Sequence, residues 1–308
     1  MNSPRDVVAR LTVSLVLACA RGKACLAGGR CGRRTLAILG LALLSAGCGS
    51  GSSSRVTSTP SAATRTTGKS TTSARVTSQL ALLREALPHT SAKLPSPARA
   101  KAVERDYLIA IADDIQRVWR REFAVSHLTY RPARVVVFWS KVRSYCGQHE
   151  DSGPFYCHGD RTVYLDLRFF TDIANDAGVG SAAQAYIVGH EFGHHVQQLL
   201  GIAASIADAN RADPSGENAR SVQFELQADC LAGVWGRSAY PRSDLSLGDL
   251  NDALKAAEVI GDDYLQRASG DVVDSALWTH GSSQQRQYWV RTGYQSGRPS
   301  ACDTFASR

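Results

Sequence analysis

The sequence predicts an α+β fold, mostly helical, with a small antiparallel or mixed sheet placed ahead of one central helix. Three observations carry this expectation. Residues 182–200 form a nearly continuous apolar run long enough for a buried helix, closed by Gly201. Two β-branched and aromatic segments, Arg134 to Val142 and Thr162 to Leu167, precede it with strand character. Helical patterns fill most of the remainder, so a single domain accounts for everything after residue 80.

The N-terminal part has a different composition. Arg30, Arg33 and Arg34 lead into the apolar run Thr35 to Leu44, and Ser45-Ala46-Gly47-Cys48 follows. A basic stretch, a short apolar segment and small residues before a processing point make a signal peptide over 1–47. The run is short for a membrane span. A second apolar run, Leu11 to Ala20, lies upstream as an extension of that leader. Ending on Cys48 resembles the lipobox of bacterial lipoproteins, although Ser45 stands three residues before it where Leu is commonest. Residues 49–78 hold 17 Ser/Thr and no acid, which predicts a disordered tether over 48–79. The folded domain is then expected over 80–308, in an exported protein lipidated on Cys48 and held at a cell membrane, facing the cell exterior or a periplasm-like space.

Charge supports that division. Residues 1–78 carry eleven Lys/Arg against the single acid Asp6, whereas the rest carries 24 basic and 27 acidic side chains. The excess positive charge belongs to the leader and tether, which excludes nucleic acid as the partner. Removing the leader and Cys48 leaves Cys146, Cys157, Cys230 and Cys302, an even number suited to an oxidising compartment. Four cysteines allow three pairings. Cys146–Cys157 closes a short loop and leaves Cys230–Cys302 to tie a helix to the C-terminus.

In order, Lys101 to Phe123 has helical periodicity through Val103, Tyr107, Ile111, Ile115, Val118 and Trp119. Arg134 to Val142 is expected as one strand. In Thr162 to Leu167 the apolar residues alternate, predicting a half-exposed strand whose edge would be open to an extended peptide. The central helix spans Ser181 to Leu200, and further helices are expected over Glu217 to Tyr240 and Leu247 to Arg267. Ser282 and Gln285 make a capping box opening a last helix through Tyr294.

The central helix contains His190-Glu191-Phe192-Gly193-His194, the pattern H-E-x-x-H. Positions i and i+4 share a helix face, so both imidazoles can address one metal ion. Glu191, on the same turn, is placed to act as a general base on water. A catalytic zinc needs a third protein donor. A histidine at 200 would supply it in one known continuation, but Leu200 stands there and Gln197 replaces the required glycine. Glu225 is the candidate instead, with Asp229 one turn later to orient a ligand imidazole. Glu217 and Asp208 are the rivals. His280 is a candidate oxyanion donor or, equally, a structural histidine at the start of the last helix. His195, His89, His127, His149 and His158 are expected to be structural, and a zinc knuckle of His149, His158, Cys146 and Cys157 competes with the disulfide for the same sulfurs.

Three segments in order, H-E-F-G-H-H-V-Q, E-L-Q-A-D-C-x-A-G-V-W from Glu225 to Trp235, and T-H-G-S-S-Q-Q-R from Thr279 to Arg286 with A-C-D-T-F at Ala301 to Phe305, resemble the bacterial neutral zinc metallopeptidase family. The E-x-x-A-D segment is also similar to the gluzincin pattern. The resemblance implies a zincin-like fold, one Zn2+ per chain, an exported or membrane-anchored protein, and a peptide or protein substrate. The expected activity is zinc-dependent endopeptidase hydrolysis. A non-catalytic zinc-containing surface lipoprotein that binds peptides or proteins is the alternative, and zinc amidase action on cell-wall peptides is a second enzymatic rival.

Overall fold

The computed structural model describes residues 66–84, 105–239 and 247–306. The signal segment, Cys48, His89 and most of the stretch joining the first two helices lie outside the described residues. The elements run α1 (Thr66–Leu80), α2 (Arg105–Val125), β1 (Arg134–Phe138), β2 (Lys141–Ser144), β3 (Gly147–Glu150), β4 (Phe155–Cys157), β5 (Thr162–Asp166), α3 (Leu167–Asp176), α4 (Ser181–Leu199), α5 (Ile202–Ala212), α6 (Glu217–Ala239), α7 (Leu247–Val259), α8 (Asp262–Ser269) and α9 (Ser283–Ser296). This is an α+β fold, mostly helical, with a small mixed sheet.

The motif helix α4 is the axis of the core. Every residue from Ala182 to Gln197 is buried, with α2, α6 and α7 packed around it. What lets α6 approach is the absence of side chains at Gly189 and Gly193. A Cβ on Gly193 would stand 2.8 Å from the Ala228 carbonyl oxygen and 2.9 Å from its Cα, and one on Gly189 would stand 3.3 Å from the Ala232 Cβ. Small residues four apart on both helices therefore interlock, and backbones cross closely enough for short carboxylates on α6 to reach imidazoles on α4.

The three-stranded sheet has the order β1-β5-β4, with β1 parallel and β4 antiparallel to β5. The half-exposed strand expected at Thr162 to Leu167 is corrected here, because β5 is central and all five residues are buried. Alternation is real but both faces are covered: Val163 and Leu165 enter the main core, while Tyr164 packs with Phe138, Phe155 and Cys157 under the β2–β3 hairpin. The edges of the sheet are β1 and β4 instead. The single strand expected over Arg134 to Val142 is also interrupted. Ser140 adopts a left-handed backbone at φ 64°, and its N–H donates to Asp166 at 2.9 Å, so the chain turns into β2.

Two further boundaries differ. The tether expected over 48–79 gives way to α1, whose Val76 and Leu80, one turn apart, are buried with Leu83. Ser73 Oγ donates to the Phe305 carbonyl at 2.6 Å, and Gln79 Nε2 to Ser205 Oγ at 3.1 Å. Average composition missed this because one narrow apolar stripe and a few side-chain hydrogen bonds suffice when a ready-made surface, α5 and the C-terminal turn, receives the helix. The folded body thus begins before residue 80. The helix expected over Leu247 to Arg267 is two helices, α7 and α8. The break falls at Gly261, where a Cβ would stand 2.4 Å from the Ser283 amide nitrogen.

Both disulfides are formed, Cys146–Cys157 and Cys230–Cys302. The capping box at Ser282 and Gln285 opens α9 as expected. No described helix is long and apolar enough to cross a membrane.

Candidate metal centre

His190 and His194 project from the same face of α4 towards Glu225 on α6. His190 Nε2 lies 3.1 Å from Glu225 Oε2 and His194 Nε2 lies 3.4 Å from Oε1. One donor atom from each of the three lies within 4.8 Å of the others, and all three residues are buried. The rivals for the third position are elsewhere: Glu217 is exposed at the start of α6, and Asp208 is paired with Arg211 and Arg75.

The outer nitrogens are already committed. His190 Nδ1 donates to Asp229 Oδ1 at 2.8 Å. His194 Nδ1 donates to Gln197 Oε1 at 2.9 Å, and Gln197 is itself oriented by donating to the Phe224 carbonyl and to Gln227 Oε1. Both rings thus present Nε2 inward, the arrangement by which outer partners fix a metal-binding tautomer. Asp229 also accepts from Tyr186 Oη at 2.6 Å and from Arg286 at 2.9 Å.

Charge follows from these contacts. Burial disfavours an ionised Glu225, but His194 and His280 outweigh it and hold its carboxyl well below the usual range. Asp229 is likewise held low against its burial, chiefly by Arg286. Burial opposes protonation of His190, yet Asp229 and Glu225 outweigh it and push its pKa to about 10. Glu191 differs: its carboxyl lies in the cleft and burial pushes its pKa up, outweighing the opposing influence of His190, His194 and Arg286, a shift in the direction a general base requires. A buried donor set of two imidazoles and one ionised carboxylate, with outer nitrogens fixed, fits a catalytic zinc with one position left for water or substrate.

His280 faces the same cleft, which has a volume of about 210 Å³. Its Nδ1 lies 2.9 Å from Thr279 Oγ1 and 3.4 Å from Asp262 Oδ1. Asp262 Oδ2 accepts the backbone N–H groups of Thr279, His280 and Gly281, so the first turn of α8 holds the His280 loop. The other histidines divide. His195 points off the ligand face, donating Nε2–H to the Arg131 carbonyl and meeting Tyr156 Oη through Nδ1. His127 is exposed beside Arg84, and His149 stacks on Phe155. The Cys146–Cys157 disulfide takes both sulfurs of the alternative zinc knuckle. His158, expected to be structural, lines the cleft.

Sequence reasoning missed Arg286, Tyr186, Gln197 and Asp262. Arg286 was visible as the last residue of T-H-G-S-S-Q-Q-R, and its complete burial shows why a cation sits there: it neutralises Asp229. Tyr186 and Asp262 carry no spacing signal, since their partners are far away in the chain, whereas Gln197 stands three residues after His194 on the same helix.

Fold and site together define a protein built to hold a metal between an H-E-x-x-H helix and a Glu-bearing second helix. The chain belongs to the family described as "Putative neutral zinc metallopeptidase", which matches residues 32–305. Membership implies zinc as the ion and a peptide or protein as the substrate. Among relatives, it is 43% identical over 201 residues to the uncharacterized protein YpfJ of Escherichia coli strain K12, covering 64% of this chain and 69% of that one. It is 37% identical over 215 residues to the uncharacterized protein Rv2575 of Mycobacterium tuberculosis strain H37Rv, covering 65% and 70%. No solved structure matches the chain.

Proposed function

We propose that this protein is a zincin-like endopeptidase, exported and held at a membrane by a lipid on Cys48, that hydrolyses peptide bonds within extended chains. The observation that carries the reading is Glu191. It stands beside the His190, His194 and Glu225 donors in an open cleft, where a purely structural metal site needs no base. The two disulfides and the leader pattern support an oxidising, extracytoplasmic location.

In this reading His190, His194 and Glu225 hold the ion. Bound zinc supplies a Lewis acid that polarises the scissile carbonyl and acidifies water. Glu191 accepts the proton of the attacking water and returns it to the leaving amine nitrogen. His280, backed by Asp262, donates a hydrogen bond to the developing oxyanion. The edge strand β4 borders the cleft through Phe155 and Tyr156, with Gly153 and Pro154 just before it, and strand addition there aligns the substrate backbone.

The test measures zinc content and casein proteolysis for the full chain, for Glu191→Gln and for Glu225→Ala. Wild type should carry one zinc and cleave casein in a chelator-sensitive manner. Glu191→Gln should keep its zinc and lose cleavage by about a hundredfold or more, whereas Glu225→Ala should lose both. Full activity in Glu191→Gln sinks the mechanism. Zinc without cleavage in wild type favours a peptide-binding surface lipoprotein.

A further inference from the structure

The β4 wall of the cleft carries an imidazole that the reaction above leaves unused. His158 follows β4 directly, its ring centroid 6.4 Å from that of His194 and 6.1 Å from that of Phe224. Its tautomer is set by Gln198 on α4. Gln198 Nε2 donates to the main-chain carbonyl of His158 itself at 3.0 Å, so the amide oxygen is the atom facing His158 Nδ1, at 3.2 Å. Tyr156 Oη lies 2.7 Å from the same oxygen. A carbonyl oxygen only accepts, so Nδ1 bears the ring proton and Nε2 of the neutral ring is left as a lone-pair acceptor.

The end of β4 gives such an acceptor a place beside a bound peptide. β4 is three residues long and pairs with β5 along one edge. A peptide added to its other edge runs out of strand after Cys157. The next main-chain acceptor, the His158 carbonyl, already accepts one hydrogen bond, from Gln198 Nε2. The side-chain Nε2 of His158, which lines the cleft, offers a further acceptor to a peptide N–H at this position.

We propose that His158 Nε2 accepts a hydrogen bond from one main-chain N–H of the bound peptide. The protein therefore selects against proline or any N-alkylated residue at that one position. This rests on the peptidase reading for the identity of the ligand, an extended peptide. His158 is thus a specificity-determining residue.

The experiment uses a fluorescent casein-derived peptide, N-methylated at each residue in turn. Binding is measured by anisotropy on zinc-loaded Glu191→Gln protein, and cleavage on protein retaining Glu191. Each is repeated with His158→Ala and with His158→Gln, whose side-chain oxygen still accepts. We expect one N-methyl position to weaken binding about tenfold. That penalty should vanish in His158→Ala and persist in His158→Gln. Because methylated and parent peptides are compared within each variant, a loss of folded protein cancels. An N-methyl profile unchanged by His158→Ala overturns the inference, as does a wild-type background that binds none of the peptides. A His158-dependent profile in binding with no cleavage by wild type upholds this inference and overturns the peptidase reading. Cleavage with a His158-independent profile does the reverse.

Discussion

His190 Nδ1 lies 2.8 Å from Asp229 Oδ1, a carboxylate one helical turn beyond Glu225 on α6. Glu225 and Asp229 thus grip the two nitrogens of one ring, one from the metal side and one from behind. His194 has no such charged backing and relies on the neutral amide of Gln197. The two ligand histidines are therefore unequal: His190 is held by charge and His194 by a relay of amides.

Asp229→Asn should lower zinc affinity about 10- to 100-fold, the usual scale for an outer partner of a metal ligand. It should also destabilise the fold, because Arg286 is 1% exposed and would lose its counter-charge. Chelator competition and thermal unfolding check the two effects separately. Gln197→Ala should weaken zinc binding less, since no charge is left unpaired.

Zinc uptake should release about one proton at pH 7. With His190's pKa raised to about 10, the ring without an ion keeps protons on both nitrogens, one facing Asp229 and one facing Glu225. A bound ion takes the place of the Nε2 proton. Affinity should accordingly rise with pH and level off near pH 10. Titration calorimetry in buffers of different ionisation enthalpy measures the release, and a buffer-independent enthalpy at pH 7 contradicts it.

Removing the disulfide Cys230–Cys302 should cost more stability than removing Cys146–Cys157. The sequence separations are 72 and 11, and loop-closure entropy puts the losses at roughly 4 and 3 kcal/mol. Paired Cys→Ala variants compared by thermal unfolding decide this. The first pair should also weaken zinc binding, because the Cys302 carbonyl accepts from Gln227 and Gln227 orients Gln197.

Glu122→Gln should stabilise the protein at pH 8 and leave it nearly unchanged at pH 4.5. Burial raises the Glu122 pKa from 4.5 to about 7, against the opposing hydrogen bonds of Ser126 and Arg84. Between those values the folded chain holds a proton that the unfolded chain has lost, so stability falls as pH rises through that window. Allowing for partial solvent screening, the gain at pH 8 is about 1–2 kcal/mol. Denaturant unfolding at both pH values measures it.

The sequence by itself determined the metal helix, its paired histidines, Glu191 and the acidic pair on the second helix. Each of these is a local relation, three or four residues on one helix, and helical geometry alone places such residues together. The cysteine pairing and the α9 cap were legible for similar reasons of count and spacing. Tertiary structure decided the rest. Which strand became an edge depended on non-local pairing, so β5, half-exposed by its alternation, became central and β1 and β4 became the edges. Whether a Ser/Thr-rich segment folds depended on the surface waiting for it, as with Val76 and Leu80 of α1. The partners that fix the site, Arg286 behind Asp229, Asp262 behind His280 and Gln198 behind His158, lie 57, 18 and 40 residues from the groups they orient. Hydrogen bonds across such separations leave no periodicity in the chain and exist only once α4, α6, α8 and α9 have packed.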